Sequence, residues 1–271
     1  MKRYRIYNFD FDSRAISLEP IPEYWEESVK ELCGVNQAQT LADLKAEYGE
    51  ADFETKLNDF KELGPKPLSI VAFHNRFLNQ ARHAFVHGQY YPSLTAVCAL
   101  GERILNHLIF KLQDCYNGYR KGNHNKSSNW PSMIDALVQW KVLTEEAETG
   151  FRSLKKQRDF ALHFNPEVEM NEHQFALEAI KNFEEIVTHQ FAVFGNLPWL
   201  LLAPGECYIR KEWEQSPFIQ LVYIPNSCYV GYKHVVTSVI PWKIRDAPNY
   251  PEEEISDEEF VRLRQEFQST R

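Results

Sequence analysis

The chain has 271 residues, 44% of them apolar and 14% aromatic, and a formal net charge of −8. That is enough for one sizeable domain with an appendage, or for two small domains. No run of 18 apolar residues occurs, which excludes a membrane-spanning helix, and the acidic balance excludes broad electrostatic adhesion to nucleic acid.

The opening, MKRYRIYNFDFD, lacks the apolar stretch of a secretory signal. The expectation is a soluble, cytoplasmic protein with no membrane partner, in which any RNA contact rests on a local basic patch. The first residues, RYRIYNFDF, alternate and are aromatic-rich, which predicts a short strand. Three helices are expected next, PEYWEESVKELCG, LADLKAEYG and ADFETKLNDFKELG. They stop at Gly34, Gly49 and Gly64, because glycine just past a helical pattern favours a left-handed cap. GPKP at 64–67 then breaks the chain and marks a boundary.

Residues 68 to about 194 predict five helices. The first covers roughly 69–87. The second runs from about 93 to 115, with Leu94, Val97, Cys98, Leu105, Leu108 and Leu112 on one buried face. A flexible polar loop, NGYRKGNHNKSSN, follows. Pro131 opens the third helix, which buries Met133, Ile134, Leu137 and Trp140. Thr144, Glu145 and Glu146 suit the start of the fourth, since acidic residues favour a first turn. Asn171, with Gln174 reaching back, caps the fifth, whose buried face is Ala176, Ile180, Phe183, Val187 and Phe194.

Beyond Gly195 the segments CYIRKEW, FIQLVYI and CYVGYKHVV are β-branched and aromatic, which predicts a small antiparallel meander. A last acidic helix is capped by Ser256 with Glu259. The expected architecture is mainly α, in three parts: 1–66 a strand plus helical extension, 67–195 a helical bundle, and 196–271 the β meander and acidic helix.

Chemistry is carried by odd charges on apolar faces. In the fourth helix Phe151, Leu154 and Ala161 form a stripe, and Arg158 falls inside it. A guanidinium there has to be paired or line a cleft, because burying it alone costs several kcal/mol in rough terms. Glu102 sits among Cys98, Leu105 and Ile109 on the second helix, and the two charges suggest each other. His163 lies about 140 degrees round the helix from Arg158, near the frayed end. Arg152, Lys155 and Lys156 make this the densest positive run in an acidic chain.

RHAFVH at 82–87 repeats the Arg-x-x-x-x-His spacing of RDFALH at 158–163. Arg82 and His87 are expected at a solvated helix end. His83 and His87, four apart, have a spacing that could bind a metal, but no third ligand with helical or hairpin spacing accompanies them. The five cysteines, at 33, 98, 115, 207 and 228, show no Cys-x-x-Cys and predict reduced, inert thiols.

Residues 69–194 resemble a HEPN domain, the all-helical "higher eukaryotes and prokaryotes nucleotide-binding" family. ARHAFVHGQYYPSLTAVCALGERIL resembles the family's first helix pair, whose second helix carries an acidic residue, here Glu102. SLKKQRDFALHFNP resembles its signature helix, matched by Arg158, Asp159 and His163. The departure is Asp159, where asparagine is common, and an aspartate repels RNA. The resemblance implies an antiparallel HEPN-like bundle and a metal-independent endoribonuclease, a toxin or antiviral defence effector, acting as a homodimer with two motifs on one cleft.

By that implication no metal or cofactor takes part. His163 relays the proton of a ribose 2′-hydroxyl and Arg158 forks onto the phosphoryl oxygens. Asp159 and Glu102 orient them, and Lys155, Lys156 and Arg152 hold flanking phosphates. The rival reading is a non-catalytic dimerisation or nucleotide-binding module that meets a protein partner or inhibitor. The third is a zinc protein using His83 and His87.

Overall fold

A computed structural model describes residues 1–118, 129–162, 166–251 and 253–270, and the side chains of all but 168 and 169 of these. The protein is mainly helical with a small antiparallel sheet. The first elements are strands β1 (Lys2–Ile6) and β2 (Phe9–Asp12) and helices α1 (Arg14–Ser17), α2 (Glu27–Tyr48) and α3 (Phe53–Leu63). Strand β3 (Lys66–Ile70) leads into α4 (Phe73–Val86), α5 (Tyr90–Leu112), α6 (Trp130–Gln139), α7 (Glu145–Leu162), α8 (Pro166–Met170) and α9 (Glu172–Phe191). The remainder is β4 (Leu200–Ala203), β5 (Glu206–Ile209), α10 (Pro217–Val222), β6 (Ser227–Gly231), β7 (Val235–Val239), β8 (Trp242–Arg245) and α11 (Asp257–Ser269).

Packing gathers these into two compact units. One holds residues 1–9, 69–71 and 191–271, the other residues 10–68 and 72–190. These units are drawn differently from the three expected segments, because β1 pairs with strands near the C-terminus while α2 and α3 fall in the unit that holds α4 to α9.

In the helical unit the 3.6-residue periodicity places its apolar residues as expected. Leu94, Val97, Cys98, Leu105, Leu108 and Leu112 of α5 are buried, as are Met133, Ile134 and Leu137 of α6 and Ala176, Ile180, Phe183 and Val187 of α9. Gly49 and Gly64 take positive φ at helix ends. Gly34 does not stop anything: α2 runs through it for 22 residues. An interior glycine costs only about 1 kcal/mol, and the surrounding helical residues outweigh it. The first bundle helix begins at Phe73 instead of 69, since Ser69 and Ile70 belong to β3. Phe194 lies beyond α9 and is exposed, and Gln174 bonds forward to Glu178.

The other unit is built on a sheet of order β4-β5-β1-β6, all antiparallel. The expected meander is therefore interrupted, because β1 is inserted between β5 and β6. FIQLVYI is a helix followed by a 3-10 turn, not a strand. Pro217 presets the first helical turn, and Phe218 packs its ring against Trp199. On β1 the alternating buried positions Arg3 and Arg5 point at acids. Arg3 Nε donates to Asp257 at 2.8 Å, and Arg5 stands 3.0 Å from Glu206, which also takes two bonds from Arg264. Helix α11 starts with Ser256 Oγ accepting from Glu259 N and lays Phe260 on Leu201, Ala203, Tyr208 and Val230.

Candidate active site

Helix α7 is fixed before its charged residues begin. Thr144 Oγ1 accepts from Ala147 N and donates to the His189 carbonyl, and Gln190 clasps the Thr144 and Val142 backbone. Phe151, Leu154 and Ala161 are buried along one face. Gly101 of α5 lies so close to Leu154 that an added Cβ would sit 2.4 Å from its Cδ2, which brings the α5 and α7 backbones together one residue from Glu102.

Arg158 Nη2 is 3.4 Å from Glu102 Oε2, and its Nη1 is 3.5 Å from Asp159 Oδ1. The arginine side chain is 32% exposed, so the apolar stripe does not bury it. Those contacts are ion pairs longer than the 2.7–2.9 Å of a charge-assisted hydrogen bond, and a fork of five donors has capacity beyond them. Lys155 Nζ reaches Asp159 at 2.5 Å, and Arg152 bonds Glu148 at 2.9 Å and Asp135 at 2.6 Å. Lys156 is exposed. The basic run is thus matched by carboxylates on its own helix and on α5 and α6. His163, His124 and most of the expected polar loop lie outside the described residues.

Beside Glu102 lies a groove of about 630 Å3 lined by Phe73, Ala99, Glu102, Arg103, Asn106 and His107. The Phe73 and His107 rings are 4.5 Å apart, and Arg103 lies 4.8 Å over the Phe77 ring. Burial, helped by the Lys111 charge, lowers the His107 pKa below its ordinary value. Sequence reasoning missed this imidazole and Phe73. The available signal was polar residues at three- and four-residue spacing, Glu102, Arg103, Asn106 and His107, flanking the apolar stripe of α5.

In the second Arg-x-x-x-x-His stretch His87 stands half-buried at the helix end, but Arg82 is not solvated as expected. Arg82 is 6% exposed, paired with Glu184, and donates to the Gly64 carbonyl at 2.6 Å. The His83 and His87 rings lie 4.5 Å apart, tilted to each other, and both approach the Tyr48 ring. Among the described residues no three of His, Cys, Asp and Glu are grouped to hold a metal ion, and no helix is long and apolar enough to cross a membrane. The cysteines are unbridged thiols, and burial pushes Cys98 up to about 12. Compared with protein-family models, curated proteins and solved structures, the chain matches none.

Proposed function

We infer that the helical unit is a HEPN-type bundle and that the protein is a metal-independent endoribonuclease acting as a homodimer, a toxin or antiviral defence effector. The observation that carries this reading is Arg158, one-third exposed and held between Glu102 and Asp159 beside an open groove. Such a guanidinium is oriented before a phosphate arrives and bears donors for the charge that develops on it. His163 accepts the 2′-hydroxyl proton as the oxygen attacks the adjacent phosphorus, the P–O5′ bond breaks with the leaving 5′-oxygen taking a proton from water, and a 2′,3′-cyclic phosphate and a 5′-hydroxyl result. Phe73 and His107 supply a ring wall on which an unstacked base can lie. Lys155 and Arg152 meet neighbouring phosphates by exchanging their carboxylate partners, and exposed Lys156 meets them directly.

One observation favours a second reading, a non-catalytic interaction module: Arg152, Lys155 and Arg158 each already face a carboxylate. Incubation of the purified protein with RNA in EDTA, beside Arg158→Ala and His163→Ala, separates the two. The nuclease cleaves without metal, leaves cyclic phosphate ends, and loses activity in both variants. Equal cleavage by all three proteins, or intact RNA with the wild type, leaves the module.

A further inference from the structure

The helical unit contains a second cavity, of about 480 Å3, to which α1, α2, α3 and α4 and the residues of β2 and β3 in this unit contribute. Each charge of its lining faces an opposite one, and the lining cations Lys66 and Arg82 lie deeper than the carboxylates. Deep in it Lys66 and Arg82 are 5% and 6% exposed, Arg82 already pairing with Glu184, which does not line the cavity. Lys66 donates to Asp10 at 2.5 Å and Asn79 at 2.8 Å, two bonds from an ammonium that has three protons. Asp12, Arg14 and Glu47 stay 22%, 34% and 40% exposed, which puts them at the mouth. Arg14 forks onto both oxygens of Asp12 and reaches Glu47 at 2.6 Å. Burial works against Asp12, but its Arg14 hydrogen bonds prevail and hold it below the ordinary carboxylate range. Phe11, exposed at the rim, and Tyr48, Phe60 and Leu63 supply apolar wall.

Protein interiors are close-packed, with few voids larger than a water molecule. Here fixed ion pairs border an open space within the ~300–1,000 Å3 typical of small-molecule sites, with an apolar wall and a few placed polar groups. The cations Arg14, Lys66 and Arg82 balance the anions Asp10, Asp12 and Glu47 among the lining residues. A polyanion meets three carboxylates and a polycation meets buried Lys66 and Arg82, so both are disfavoured. The matching ligand is itself neutral overall, with an anionic end that goes in first and a cationic end that follows.

We propose that this cavity binds a free α-amino acid, its carboxylate on Lys66 and Arg82, its ammonium on Asp10, Asp12 and Glu47, and its side chain along Phe11 and Tyr48. Arg14 is the positioning residue that holds Asp12 and Glu47 in place. The site is separate from Arg158 and does not depend on nuclease activity.

Each of the twenty common L-amino acids, titrated singly into the full chain by calorimetry up to about 10 mM, tests it, since millimolar affinity corresponds to only about 4 kcal/mol. At least one binds, while its N-acetyl and its carboxamide derivatives do not. Glu47→Gln, a change at the exposed mouth that leaves the fold intact, weakens binding about tenfold, as does Asp12→Asn; loss of one charge contact of roughly 1.4 kcal/mol gives that factor. Absence of binding by all twenty, equal binding of the blocked derivatives, or unchanged affinity in both variants overturns the proposal. So does saturable binding of inorganic phosphate or ATP that Lys66→Met abolishes.

Discussion

Arg158 and Glu102 stand 3.4 Å apart, each about one-third exposed, on helices pressed together at Gly101 and Leu154. A pair that wet contributes at most about 1 kcal/mol to stability. On the proposed reading its use lies in aiming a guanidinium. Glu102→Gln is therefore expected to leave the thermal midpoint within a few degrees of wild type. Cleavage is expected to fall by about 10- to 100-fold, the scale on which misplacing a catalytic group acts. Tm by calorimetry and single-turnover cleavage are measured on one preparation, and cleavage at the wild-type rate would remove Glu102 from the site.

Arg82 and Glu184 form a different kind of pair, with both side chains 8% exposed. Removing one partner leaves an uncompensated buried charge, at a cost of about 3–5 kcal/mol. Arg82→Ala and Glu184→Ala are each expected to show that loss in urea unfolding. The double variant Arg82→Met with Glu184→Leu recovers most of it, because two apolar side chains of similar volume need no charge compensation. Additive losses in the double variant would mean that the two charges act separately.

Acid sensitivity follows from two histidines that are fully buried, His74 and His234. Burial, with the Lys66 charge, lowers His74 to about 3. His234 is lowered to about 4 by burial, with Arg264 and Arg5 adding to the effect against an opposing Gly231 bond. Arg5 Nη1 can only donate to His234 Nε2, so Nδ1 carries the proton that goes to the Gly231 carbonyl, and the ring is neutral. Both folded values lie below the unfolded value near 6.5, so the unfolded chain binds more protons between them. Stability is full above about pH 6.5 and declines as pH falls toward 4, by up to about 1.4 kcal/mol per pH unit for each histidine. Asp12, Glu206 and Asp246, all held low, add their losses as pH falls through the ordinary carboxylate range and below it, while Glu184, pushed up by burial, acts in the opposite sense. The readout is therefore the difference between wild type and His74→Gln in urea midpoints from pH 7 to 5. The variant gives the flatter curve, and parallel curves would rule His74 out.

What the sequence makes legible is set by the range of the interaction. Periodicity is local, so the faces of α5, α6 and α9 and the Ser256 cap can be read from neighbours in the chain. The partnership of Arg158 with Glu102 is legible too, because each is the odd charge on an otherwise apolar face. Arg82 was hidden because its partner Glu184 lies 102 residues away on a helix whose polar positions look ordinary. The Lys66 cavity draws on Asp10, Arg14 and Glu47, whose convergence depends on how α1 to α4 pack and leaves no trace in spacing. FIQLVYI misleads because β-branched and aromatic composition reports burial as much as extension, and Ile219 is buried in a helix.

Gly101 ties the packing of the bundle to the candidate active site. Alanine is the better helix former by about 1 kcal/mol, so propensity alone predicts that Gly101→Ala stabilises α5. The added methyl, however, meets Leu154 Cδ2 at 2.4 Å and Trp130 at 3.0 Å, with Leu154 and Trp130 both buried and unable to swing into solvent. Overpacking of that kind costs about 1–3 kcal/mol, so the variant is expected to be the less stable by a net of up to about 2 kcal/mol. The strain is relieved by moving α5 away from α7, which lengthens the Arg158–Glu102 approach. On the proposed reading cleavage is therefore expected to fall together with stability, whereas Glu102→Gln is expected to lower cleavage alone. Leu154→Ala combined with Gly101→Ala opens room for the methyl and is expected to restore much of the cleavage, though not the stability lost with the leucine. A Gly101→Ala protein as stable as wild type would show that Leu154 yields to the added methyl more readily than the 2.4 Å approach implies.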